Sequence, residues 1–246
     1  MRKADVKVCE ESFKFADESI DFVLMKHEQC NGNLFLVPSF SKSMFADDNL
    51  LNYLAEKITM SGGTVLTFHA YWNDLEEESK AIREGRNIFA ESDNRINKII
   101  ERCLEYGLNK GGNIILVGIS RFGFMSLHAL SQNSNIKAVV GLLPVTYWPV
   151  LKEFAGMESN FLIRKHDLAS RVQYFDQRDI LILVTQNDER VSTTLGIEFA
   201  KHIKLEYEKT GSSERCDLKV IESQGHQLTT RIIDDAIDWL IAKKYL

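Results

Sequence analysis

The sequence predicts an α/β protein in which one mostly parallel sheet of eight strands carries helices on both faces. Two observations predict it. Short apolar runs recur at residues 34–37, 64–68, 113–119, 136–143, 179–185 and 218–221, and runs this continuous fit strands buried on both faces. Between them lie stretches with helical apolar spacing, giving the strand–helix–strand rhythm of a parallel sheet. No repeat, low-complexity segment or linker interrupts the 246 residues, so one domain spanning 1–246 is expected, burying roughly 70–75% of its unfolded surface.

Composition narrows the partners. A net charge of -5 and a sequence pI near 5.7 give no basic footprint for nucleic acid or an anionic membrane. The four cysteines, Cys9, Cys30, Cys103 and Cys216, form no C-x-x-C pair, which argues against a zinc ribbon and a disulfide framework and for reduced thiols. No apolar run approaches the ~20 residues of a membrane span, and no apolar stretch follows Met1-Arg2-Lys3. The expectation is a cytoplasmic protein.

Residues 6–15 and 20–26 alternate loosely around a polar connection and read as an antiparallel opening pair. The strand at 34–37 stops at Pro38, which cannot donate to a ladder. Asp47 or Asp48 can cap a helix whose Leu50, Leu51, Leu54 and Ile58 share one face, ended by Gly62-Gly63. After the strand at 64–68, residues 69–92 read as a polar connection whose acidic run, Asp74 with Glu76, Glu77 and Glu78, is a solvated surface. Asp93 can cap a helix with an apolar stripe of Ile96, Ile99, Ile100, Cys103 and Leu104.

The next strand, 113–119, ends at Ser120, and residues 121–132 follow with helical spacing. After the strand at 136–143, residues 145–178 show no strand pattern but hold seven aromatics or methionines, among them Tyr147 and Trp148, and read either as a small helical lid or as one packing helix with a loop. The strand at 179–185 runs into Asn187-Asp188-Glu189-Arg190-Val191, and a helix at 192–209 follows. The last strand leads through Gly225-His226 to a closing helix.

Ser120, Asp188 and His226 thus fall at the ends of three strands. In an open parallel sheet the carboxyl ends of strands share one edge, where ligands bind, so the three side chains can converge. Ser120 sits between Gly118 and Gly123 at a strand-to-helix turn, the setting that raises a serine hydroxyl above the sheet. These residues resemble the G-x-S-x-G nucleophile elbow of α/β-hydrolases, here as G-x-S-x-x-G because Phe122 occupies the usual second glycine position. The Ser, Asp, His order is that of the α/β-hydrolase triad, and the resemblance extends from Leu34 to the end of the chain.

The resemblance implies Ser120 as nucleophile, His226 as general base and Asp188 as the acid that orients it, with Glu189 as the adjacent alternative acid. It implies an oxyanion hole from the backbone N–H of Arg121 and that of Phe40, although Pro38-Ser39 stand where the family often shows His-Gly. The Arg121 guanidinium can bind a substrate carboxylate, support the oxyanion or form a structural salt bridge. Tyr71, Trp72, Tyr147 and Trp148, near predicted strand ends, can line an acyl or aryl pocket or belong to the core. The implied activity is hydrolysis of a small-molecule carboxylic ester through an acyl-serine intermediate, with neither metal nor organic cofactor. Two alternatives are an amide or peptide hydrolase with the same triad and a non-hydrolytic ligand-binding protein on the same fold.

Overall fold

A computed structural model describes residues 6–15, 18–39, 50–69 and 74–246. Eight strands, β1 (Val6–Lys14), β2 (Ser19–His27), β3 (Leu34–Ser39), β4 (Thr64–His69), β5 (Ile114–Ile119), β6 (Ile136–Leu142), β7 (Asp179–Asn187) and β8 (Cys216–Gln224), form one sheet in the order β1-β2-β4-β3-β5-β6-β7-β8. β2 runs antiparallel to both neighbours, and all other pairs are parallel. β3 continues through Pro38 to Ser39, one residue beyond the stop expected at the proline.

Side chains alternate between the two faces of a strand, and here the alternation feeds two cores. Leu34, Leu36, Leu116, Val139, Ile180 and Ile182 point to one face. They meet helices α3 (Ile88–Glu105), α4 (Arg121–Leu130) and α6 (Thr193–Glu208) through residues such as Ile99, Phe124, Leu127 and Ile203. Phe35, Val37, Ile115, Val117, Val140 and Leu183 point the other way, onto helices α1 (Leu50–Met60) and α7 (Thr230–Ala242).

The segment expected as a polar connection folds differently. It contains α2 (Leu75–Arg83), capped by Asp74, whose carboxylate accepts from Glu76 N and Glu77 N. Acidic residues in the first turn suit the positive end of the helix dipole, so the acidic run marks a helix start as well as a surface. Glu78 is buried, not solvated. α3 likewise starts earlier, with Asn87 as its cap accepting from Ala90 N, and Asp93 is a buried residue inside it.

Residues 145–178 contain three 3₁₀ turns and the short helix α5 (Phe161–Lys165). Trp148, Leu151, Phe154, Ile163, Leu168, Val172 and Phe175 pack into the α3/α4 core. The segment is also fastened by polar contacts. His166 Nδ1 lies 2.9 Å from His128 Nε2, and His128 Nδ1 lies 2.8 Å from Asp93 Oδ2. Arg178 donates to the carbonyls of Phe175 at 2.9 Å and Asn133 at 2.6 Å, and also to that of Leu130. Among the described residues, no helix is long and apolar enough to cross a membrane.

Candidate active site

Between β5 and α4 the chain turns within one residue. Ser120 has φ 54° and ψ -120°, a conformation that costs a non-glycine residue about 1–3 kcal/mol and persists only where surrounding contacts impose it. Those contacts are visible. Ser120 N donates to Leu142 O at 2.9 Å, and Ser120 O accepts from Gly123 N and Val145 N, each at 3.0 Å.

Two glycines make the approach of strand and helix possible. A Cβ on Gly118 would collide with the carbonyl of Phe122, and one on Gly123 would lie 2.7 Å from Pro144 Cβ. Position 122 tolerates a buried phenylalanine because the tight helix–loop contact falls one residue later.

The hydroxyl so presented lies 2.8 Å from His226 Nε2, and His226 Nδ1 lies 2.7 Å from Asp188 Oδ2. The carboxylate selects the tautomer with the proton on Nδ1, which leaves Nε2 to accept from the serine hydroxyl. His226 follows β8 in a loop where Gly225, at φ 70°, donates to Asn187 O while its own carbonyl accepts from Thr185 Oγ1.

Asp188 directly follows β7 and is buried. Its Oδ1 accepts from Arg190 N at 3.0 Å and Val191 N at 3.1 Å, and its own N–H donates to the Thr193 hydroxyl. Burial alone would raise the Asp188 carboxyl. The hydrogen bonds from His226 and the two backbone N–H groups outweigh it and hold the group below its ordinary value. Glu189, the neighbouring carboxylate, is exposed.

A cavity of about 330 Å³ opens beside Ser120 and His226. Its apolar wall consists of Leu75, Ile119, Leu143, Leu151 and Leu228, with Arg121 and Arg190 as polar members. A hollow of about 380 Å³ lies across β1, β2 and the end of β4, lined in part by Glu10, Asp21 and His69, and holds none of the three converging groups.

Other expected site residues are placed as follows. Arg121 opens α4, so its N–H stands at the end of the helix whose dipole favours negative charge. Its guanidinium is buried, and Nη1 donates to Glu78 Oε1. Phe40, Tyr71 and Trp72 lie outside the described residues. Trp148 does not line the cavity. It is buried, edge-on to Phe89, Phe124 and Phe154 at centroid distances of 5.3, 5.4 and 4.7 Å. Tyr147, half-buried, is also absent from the wall.

Among the described residues the wall is made largely of leucines, and neither Tyr147 nor Trp148 takes part in it. Leu143 was readable as the residue at the end of a strand, and Arg190 as a neighbour of Asp188. Leu75 was hidden with the helix that carries it. Among the described residues, no three His, Cys, Asp or Glu side chains are grouped to hold a metal ion.

No family model matches the chain, and no curated protein matches it by sequence. Solved structures do. A Bacteroides ovatus protein assigned as a dipeptidyl aminopeptidase IV superposes with TM-score 0.75 at 16% identity, over 97% of this chain and 35% of that one. The Pyrococcus horikoshii acylaminoacyl peptidase gives 0.72 at 15%, over 96% and 42%. A cold-adapted esterase from an Arctic intertidal metagenomic library gives 0.69 at 16%, over 98% and 95%. The chain thus spans less than half the length of each of the two peptidases and nearly all of the esterase. With the strand order above, these likenesses show the α/β-hydrolase fold.

Proposed function

We propose that the protein is a serine hydrolase that cleaves a carboxylic ester of a small molecule through an acyl-serine intermediate. The observation that carries this reading is the continuous chain of hydrogen bonds from Asp188 through His226 to the strained Ser120. His226 Nε2 takes the hydroxyl proton as Ser120 Oγ attacks the ester carbonyl, and Asp188 stabilises the resulting imidazolium. The negative charge that forms on the carbonyl oxygen develops near the N-terminus of α4, where the Arg121 N–H is a donor of the kind such intermediates need. His226 then protonates the departing alcohol, and a water activated by the same imidazole hydrolyses the acyl-serine.

A fluorophosphonate probe should label the wild-type protein and not Ser120→Ala. Equal labelling of both would end the assignment.

Amide or peptide hydrolysis is the second reading, favoured by the names of two structural neighbours. The same three residues would serve it. Rates on aryl esters set against aminoacyl arylamides separate the two, and tight binding of either class without turnover would favour a non-hydrolytic protein instead.

A further inference from the structure

Beside the cavity lies an ion pair that the triad chemistry does not use. Glu78 of α2 and Arg121 of α4 are 43 residues apart, with side chains only 1% and 4% exposed, and they meet through Arg121 Nη1 and Glu78 Oε1. The second carboxylate oxygen, Oε2, is buried without a hydrogen-bond partner among the described residues. Packed apolar side chains of the same volume commonly stabilise a protein as well as or better than a buried ion pair, so stability alone accounts poorly for this one.

Its location offers another account. Arg121 follows the nucleophile, supplies the N–H expected to meet the oxyanion, and forms part of the cavity wall. Leu75, three residues before Glu78 and therefore on the same side of α2, forms another part of that wall.

We propose that Glu78 is a positioning residue for this site: as a carboxylate it holds Arg121, and with it the first turn of α4, against the cavity, and it loses that hold when it takes up a proton. The inference rests on the hydrolase reading above. Glu78 is faced by Arg121 from α4, by Asp74 at the cap of its own helix, and by Glu153 from the 3₁₀ turn Lys152–Phe154. Glu153 is itself paired with Arg190 at 2.8 Å. Burial raises the Glu78 carboxyl, Arg121 opposes it, Asp74 and Glu153 add to it, and the group stands at about 7. The carboxylate is therefore present above that pH and lost below it, and this loss on the acid side adds to the one that protonation of any imidazole base brings.

The test is the pH profile of kcat and kcat/KM on a p-nitrophenyl ester for wild type and Glu78→Gln, with fluorophosphonate labelling in parallel. Wild type is expected to lose activity on the acid side with two-proton steepness. Glu78→Gln is expected to show a one-proton limb, with kcat lower by about ten- to a hundredfold and KM nearly unchanged. If Glu78→Gln fails to fold, Glu78→Asp keeps the charge and should keep the two-proton limb. A one-proton limb in the wild type, or identical profiles for wild type and Glu78→Gln, would overturn the inference while labelling at Ser120 left the hydrolase reading intact. Absence of both labelling and turnover in the wild type would overturn the two together.

Discussion

One buried imidazole, that of His166, should make its share of this protein's stability acid-sensitive. His166 is buried, stacked on Phe89 at a centroid distance of 4.9 Å, and its Nδ1 lies 2.9 Å from His128 Nε2, whose other nitrogen meets Asp93. A second proton would have to sit on Nε2, which is buried without a partner among the described residues. Burial first, then His128, Arg171 and Lys165, push the group down from 6.5 to about 3.

The sign follows from linkage: below 6.5 the unfolded chain binds a proton that the native protein refuses. Stability from this group is complete above the unfolded value and falls as pH drops from about 6.5 toward about 3. At about 1.4 kcal/mol per pH unit, the His166 contribution, read as the gap between wild type and a variant that does not titrate there, should be about 2 kcal/mol smaller at pH 5 than at pH 7. For a chain of this size that corresponds to about 4–8 °C in Tm.

The assay is calorimetric unfolding of wild type and His166→Asn at both pH values. Asparagine Nδ2 can still donate to His128 but does not titrate, so the stability gap between wild type and variant should shrink by about 2 kcal/mol at pH 5. Parallel pH dependences for the two proteins would refute the reasoning.

Two further outcomes concern the elbow and the cavity. Gly118→Ala should cost about 1–3 kcal/mol through overpacking and abolish fluorophosphonate labelling, because its methyl group meets the Phe122 carbonyl and forces strand and helix apart; urea unfolding and labelling would read the two effects. Leu151→Trp, which fills the cavity, should raise KM for longer acyl esters at least about tenfold, whereas Trp148→Phe, whose side chain packs into the core and forms no part of the wall, should leave KM unchanged.

The sheet was legible because each of its central strands is short, apolar and bounded by polar or glycine residues, as residues 113–119 show between Gly112 and Ser120. Strand ends brought Ser120, Asp188 and His226 to one edge, since a parallel sheet gathers those ends there, and the resemblance to the α/β-hydrolase triad order singled them out from neighbours such as Glu189. α2 escaped because its buried stripe consists of little more than Ala81 and Ile82, with Glu78 in place of a third apolar residue. What makes a carboxylate acceptable there is Arg121, and a contact over 43 residues leaves no trace in local periodicity.

Trp148 shows the same limit in reverse. An aromatic just past a strand end can turn toward the cavity or the core, and the choice was made by Phe89 and Phe154, each distant in sequence or in a segment without strand or helix pattern.

The two cores on either side of the sheet have a consequence for the three converging side chains. Ser120 and Asp188 lead into α4 and α6 on one face, whereas His226 leads into α7 on the other. The 2.8 Å contact between imidazole and hydroxyl is thus a joint between two separately packed halves that share only the strands. Slippage of α7 against the sheet would part base from nucleophile while leaving Ser120 and Asp188 in register, so the alignment of the site reports on how rigidly the sheet couples its two coverings.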